Sequence, residues 1–273
     1  MPEDKRYNDE DRILENRVIK EDALMRPMER KNRRRAIAYT VMVIAAAAAF
    51  FAVVFTVFFK ISDISVSGTA HYGAEELVSA AGIETGTPLF GFDAGNVETR
   101  LLNELPYVKE VSVSRKIPST VEIEITEEKP AFAFRVANDD YIVSDTFKVL
   151  ERVPAGKAPQ ELVKVTTGSV AECIVGNEIS FAETRLLDSL KTFWDTLCAY
   201  GQEGSVDYIE AYDRFDIYFG YEGRVRVFLG DARDCDAKIR FFVKIMEHIY
   251  EDQSGTLDIS DKKEATFSPY DTN

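Results

Sequence analysis

The sequence predicts an α+β protein in three successive parts: a single N-terminal transmembrane helix, a β-α-α-β-β unit, and a mixed α/β second domain that closes on a C-terminal sheet. Three observations carry this reading. Residues 36–59, AIAYTVMVIAAAAAFFAVVFTVFF, contain no charged side chain. The stretch after them passes from extended to helical spacing and then to strict alternation, and the remainder sets short alternating strands around two amphipathic helices.

As averages, 33 Lys plus Arg against 47 Asp plus Glu, a net charge of −14 and 45% hydrophobic residues describe an acidic soluble globule. The distribution says otherwise. Residues 1–35 hold 11 basic and 9 acidic side chains, net +2, and residues 60–273 hold the other 22 and 38, net −16. Such acidity opposes nucleic acid as a partner, because each phosphate contact requires Lys or Arg, and it favours protein partners over polyanions.

At about 1.5 Å per residue the apolar segment reaches roughly 36 Å, enough to cross a ~30 Å hydrocarbon core with some tilt. Its Ile, Val and Phe residues together favour insertion by roughly 4–7 kcal/mol. A cleaved signal peptide has a shorter apolar region behind a short leader, and a buried soluble helix normally carries caps and polar residues. Arg26, Arg30, Lys31, Arg33, Arg34 and Arg35 precede the segment, whereas Lys60 and Asp63 follow it. The positive-inside bias therefore places residues 1–35 in the cytoplasm, as a charged tail with too few apolar residues to fold, and everything after Phe59 outside.

The segment ISDISVSG begins an extended pattern at Ile61, Ile64 and Val66. AEELVSAAGI spaces Leu77, Val78 and Ala81 as a helix that Gly82 stops. Asp93 or Asn96 caps a second helix with Val97, Leu101, Leu102 and Leu105 on one face, and Pro106 ends it. VKEVSVSR and TVEIEITEE then alternate, with Val111 and Val113, and Val121, Ile123 and Ile125, on their apolar faces, joined by a turn at KIPS.

These residues resemble a known family. ISDISVSGTAHYGAEELVSAAGIETGTPLFGFD followed by LLNELPYVKEVSVSRKIPSTVEIEITEEKPAF is similar to the POTRA domain of the FtsQ/DivIB cell-division proteins. Pro106, Val108, Arg115 and Pro118 are the most specific positions, and Glu127 to Pro130 match the family's exit from the domain. The resulting domain limits are 1–35, 36–59, 60–130 and 131–270, with 271–273 as the end of the tail.

Beyond the POTRA-like unit, NDDYIVSDTFKVLERV reads as a hairpin-like start bearing Asp145, and ELVKVTTG as a short strand. A helix from about Ala182 to Tyr200 carries Leu186, Leu187, Leu190, Phe193, Trp194 and Leu197 on one stripe. VDYIEAY, RFDIYFG and RVRVFLG alternate, with Phe215, Ile217 and Phe219 on one face and Val225, Val227 and Leu229 on another. A helix from about Asp236 spaces Ile239, Phe242, Val243, Met246, Ile249 and Tyr250. GTLDISDKKEATFSPY closes the chain with a strand ending at Asp258, a polar turn and a last strand.

The search for chemistry returns no site. Cys173, Cys198 and Cys235 are odd in number and widely spaced, which fits buried thiols better than a disulfide framework, although one bridge among them stays open. His71 falls in a loop and His248 in a helix, and neither joins a nucleophile motif. Asp139 with Asp140, and Glu127 with Glu128, read as surface acids. No metal ligand set, cofactor loop or small-molecule site is expected.

The resemblance implies a non-enzymatic scaffold of the bacterial division machinery, enriched at the septum, that links early and late division proteins and regulates septal peptidoglycan synthesis. It implies FtsB/DivIC-like and FtsL-like membrane partners, bound at the final strand through Ala265, Thr266, Phe267, Ser268 and Pro269. The alternative for Phe267 is a place in the core. The competing functions are a POTRA-bearing adaptor of another envelope assembly or secretion complex, and a membrane-anchored wall enzyme such as a transpeptidase.

Overall fold

The computed structural model describes residues 33–55, 58–168 and 170–270. The expected charged tail before Arg33 and the closing residues 271–273 lie outside them. Helix α1 (Arg33–Phe55) is the one helix among the described residues long and apolar enough to cross a membrane, and none of it is buried in the protein. It starts three residues before the uncharged segment, because arginine is a good helix former and a helix need not end where the hydrocarbon begins.

The next unit has strand β1 (Asp63–Ser67), helices α2 (Ala74–Ala81) and α3 (Ala94–Glu104), and strands β2 (Val108–Lys116) and β3 (Thr120–Glu127). The sheet order is β1-β3-β2, with β1 parallel and β2 antiparallel to β3. The Asp93 side chain accepts from the backbone N–H groups of Gly95 and Asn96 and so caps α3, while α2 stops at Gly82 in the left-handed conformation. Leu77, Ala81, Val97 and Leu101 pack on Val113, Val121, Ile123 and Ile125, so one face of the sheet carries both helices and the other stays polar.

The second domain is one nine-stranded sheet in the order β14-β13-β12-β11-β10-β7-β4-β5-β6, together with a small β8-β9 pair. Its strands are β4 (Pro130–Val136), β5 (Asp139–Ser144), β6 (Val149–Pro154), β7 (Val163–Thr167), β10 (Val206–Ala211), β11 (Ile217–Tyr221), β12 (Val225–Gly230), β13 (Gly255–Asp258) and β14 (Thr266–Pro269); β8 (Val170–Glu172) and β9 (Ser180–Phe181) lie apart. Helices α4 (Leu186–Ala199) and α5 (Cys235–Met246) cover one face and bury Leu190, Phe193, Trp194, Ile239 and Phe242 against Phe132, Phe134, Ile217, Phe219, Val225 and Val227.

Several expectations change here. Phe215 is exposed and precedes β11, because its N–H is taken by the Asp213 carboxylate in a tight turn. Val225, Val227 and Leu229 share the face of Ile217 and Phe219 rather than another, since Phe219 lies opposite Val227 and Tyr221 opposite Val225. Helix α4 begins at Leu186, and α5 ends at Met246, leaving Tyr250 exposed and His248 in the following turn. All three cysteines are free, and only Cys235 is buried.

The two domains meet at Tyr107. Its ring packs with Ile142, Leu150 and Leu162, on the sheet face opposite α4, and His71 stacks on it at 3.6 Å. The Tyr107 N–H donates to the Tyr72 hydroxyl, the Tyr107 hydroxyl donates to Glu151, the Glu128 N–H donates to the Tyr107 carbonyl, and Lys148 Nζ donates to the Val108 carbonyl.

Two carboxylates brace this frame. Asp140 receives Arg135 on both oxygens and the Gly156 N–H, and the Arg135 contact holds its carboxyl below the usual range. Burial alone would raise Glu127, but Thr69 Oγ1 and the N–H groups of His71 and Ala70 outweigh it and hold it low. Both folded pKa values lie below the unfolded values of roughly 4, so the stabilisation is present above that pH and is lost as pH falls through the folded values. Urea midpoints should therefore drop from pH 7 to pH 3, and Asp140→Asn should lower the midpoint at pH 7 while shrinking that drop.

Candidate partner-binding edge

Strand β14 is the outermost strand of the large sheet, hydrogen-bonded to β13 alone. Asp258 lies opposite Thr266, Leu257 opposite Phe267, Thr256 opposite Ser268 and Gly255 opposite Pro269. The Tyr270 N–H donates to the Ser254 carbonyl, which fixes the alternation of the antiparallel ladder. Thr266, Ser268 and Tyr270 direct their main-chain groups at β13. Ala265 and Phe267 direct theirs, and Pro269 its carbonyl, at the open edge. Proline fits at 269 because no inward N–H is needed there.

The side chains divide the opposite way. Phe267 and Ala265 are half-buried and pack on the main core, while Thr266, Ser268 and Pro269 are exposed. The Phe267 ring lies on the core side of β14, and its backbone lies at the open edge. The Lys262 Nζ to Asp234 Oδ2 contact, 2.7 Å, ties the preceding turn to the start of α5 and positions the strand.

Beside this edge lies the uncovered face of the sheet, which composition-level reading passed over. Register sets two rows across it. Tyr208, Gly220, Arg226 and Thr256 lead to Ser268, and Glu210, Tyr218, Phe228 and Asp258 lead to Thr266. Tyr218 stacks on Phe228 at 4.6 Å, Arg226 lies 4.1 Å over the Tyr218 ring, and Arg226 bonds Glu210 at 2.7 Å. Burial holds the Tyr208 and Tyr218 hydroxyls above their ordinary pKa, so both are neutral hydrogen-bonding groups at physiological pH. The signal was present in the sequence, since apart from Gly220 the positions of β10, β11 and β12 on this face are aromatic or charged.

Partial desolvation, joined at Cys198 by the carboxylates of Glu203, Asp195 and Asp145, pushes the thiols of Cys173 and Cys198 up to about 11, which disfavours the nucleophilic thiolate. Among the described residues no group of three or more His, Cys, Asp or Glu side chains could hold a metal ion.

A helix long and apolar enough to span a bilayer, a β-α-α-β-β unit and a larger sheet with one open edge are the architecture of a single-pass membrane protein with two α+β domains. Residues 59–128 match the family model described as POTRA domain, FtsQ-type. The chain is 26% identical over 203 residues to the cell division protein FtsQ of Corynebacterium glutamicum, covering 74% of this chain and 86% of that one. It is 27% identical to FtsQ of Streptomyces collinus, over 70% of this chain and 71% of that one, and 23% identical to the cell division protein DivIB of Clostridium botulinum, over 74% and 79%. Residues 59–128 thus carry an FtsQ-type POTRA domain, and over about 74% of its length the chain is similar to cell division proteins of the FtsQ and DivIB type.

Proposed function

We propose that the protein is a non-enzymatic, single-pass scaffold of the divisome, with its N-terminus in the cytoplasm and residues 60–273 outside, enriched at the septum, where it connects early and late division proteins and regulates septal peptidoglycan synthesis. The observation that carries this is the open edge of β14, whose main-chain groups at Ala265, Phe267 and Pro269 have no strand to pair with among the described residues. Such an edge gains a partner strand through backbone hydrogen bonds, and neighbouring side chains supply selectivity. By the family resemblance the partner is the FtsB/DivIC-like membrane protein, held with its FtsL-like companion. Thr266 and Ser268, at the ends of the two outer-face rows, are placed to meet its side chains.

Hydrogen exchange tests this on the full chain in vesicles. Adding the FtsB/DivIC-like partner should slow exchange at least tenfold in the peptide spanning 264–270, with the gain at the outward amides of Ala265 and Phe267. Bound partner with unchanged exchange there would place the contact elsewhere. A tagged protein spread evenly around dividing cells would favour the adaptor of another envelope complex.

A further inference from the structure

We propose that the POTRA domain rests on the bilayer, with Phe90 and Ile117 seated in the lipid interface on either side of the point where the chain leaves the membrane. The proposal rests on the single-pass reading of α1. Among the described residues of the POTRA unit, Phe90 and Ile117 are the two large apolar side chains left exposed, at 52% and 69%. A soluble surface tolerates scattered apolar residues, but these two are gathered at one end.

The connection to the helix is short and pinned. Leu89 N–H donates to the Phe59 carbonyl at 2.8 Å, Ile61 N–H to the Thr87 carbonyl at 2.9 Å, and Gly86 N–H to the Ile61 carbonyl at 2.7 Å. The Phe90 ring lies 6.0 Å from Phe55, within α1, and 5.9 Å from Phe59. A side chain in contact with the last turn of a spanning helix shares its depth. On the other side, the Ser119 carbonyl accepts from the Ser62 N–H at 2.8 Å, which brings the β2–β3 turn carrying Ile117 beside the exit. Between Phe59 and Ser62 the chain spans at most roughly 11 Å, so Ser62 lies within or just beyond the roughly 5–8 Å headgroup zone of one leaflet.

Arg115 fixes the loop that presents Phe90. Its Nε donates to the Leu89 carbonyl at 3.0 Å, its Nη2 to the Phe92 carbonyl at 2.5 Å, and its guanidinium covers the Phe92 ring at 4.5 Å. Lys60 and Lys116 are exposed near this connection, but Lys116 is already paired with Glu122, and Asp63 follows Lys60 by three residues. The occupant is therefore the zwitterionic lipid interface, entered by apolar burial rather than by charge.

The test uses the full chain in phosphatidylcholine vesicles with brominated acyl chains, which quench tryptophan at depth. Phe90→Trp and Ile117→Trp are compared with Phe50→Trp inside α1 and Tyr212→Trp, which follows β10. Strand β10 runs parallel to β4 through β7, so Tyr212 lies at the end of the sheet away from the POTRA junction. The buried native Trp194 supplies the common background. Quenching at 90 and 117 should exceed that at 212 at least twofold. If 90 and 117 behave like 212 while 50 is quenched, the docking is overturned. If 50 is not quenched either, the spanning reading falls and the docking with it. Tryptophans at 90 and 117 that remain open to aqueous acrylamide until a division partner is added would overturn the lipid contact in favour of a protein one.

Discussion

Gly255→Val should detach β14 and reduce recovery of the FtsB/DivIC-like partner at least tenfold, a loss of about 1.4 kcal/mol or more in binding. A Cβ at Gly255 would stand 2.4 Å from the Ser268 carbonyl oxygen, 2.8 Å from Pro269 Cα and 2.9 Å from the Phe267 ring. The first two are backbone atoms of β14, so no rotamer change relieves them and the strand itself must move. Overpacking of this kind costs about 1–3 kcal/mol, which for a domain of this size lowers Tm by several degrees without unfolding it. The eight strands from β13 to β6 keep their ladders, and the helix-covered core from Phe132 to Phe242 loses only the packing of Ala265 and Phe267 at its rim. Gly204→Ala is the matched control, because a Cβ there meets nothing within 4 Å. A folded Gly255→Val protein that bound its partner as the native chain does would remove β14 from the interface.

Phe267→Ala asks a less selective question. Its ring packs on Leu257 and the core, so its loss weakens the fold and the edge together. That entanglement could not be read from TFSPY. Alternation shows that Phe267 and Thr266 face opposite sides, but which main-chain groups point outward depends on the ladder set by Tyr270 and Ser254, a tertiary fact.

Elsewhere legibility followed how cleanly one face was buried. TVEIEITE shows its strand openly, because glutamates alternate with Val121, Ile123 and Ile125. The strand PAFAFRV did not show itself. Phe132 and Phe134 face α4 while Ala133 packs toward Tyr107 on the other side, so both faces are apolar and the period disappears. Phe215 failed for the reverse reason. It continues the period of Ile217 and Phe219, yet the Asp213 turn ends the strand before reaching it.

Tyr107→Ala should convert one cooperative unfolding transition of the POTRA unit and second domain into two. Tyr107 is the buried side chain common to both units, enclosed by Ile142, Leu150 and Leu162 and stacked on His71. Removing a buried aromatic ring costs about 3–5 kcal/mol, and here nearly all of that loss falls on the contact between domains. Tyr107→Phe separates packing from hydrogen bonding. It deletes only the 3.2 Å bond to Glu151, whose carboxylate remains exposed to water, so the loss should be about 1 kcal/mol with the single transition retained. Burial first, and Glu151 second, push the Tyr107 hydroxyl up to about 12. Its folded pKa thus exceeds the unfolded value of about 10, so its contribution is intact below pH 10 and disappears as pH rises toward 12. Calorimetry of the native protein across that window should approach the two-transition behaviour of Tyr107→Ala, whereas Tyr107→Phe, with no proton to lose at that position, should split at higher pH than the native protein does. If all three proteins unfold in one transition throughout, the domains are coupled by Glu128, Lys148 and the backbone between them rather than by the Tyr107 ring.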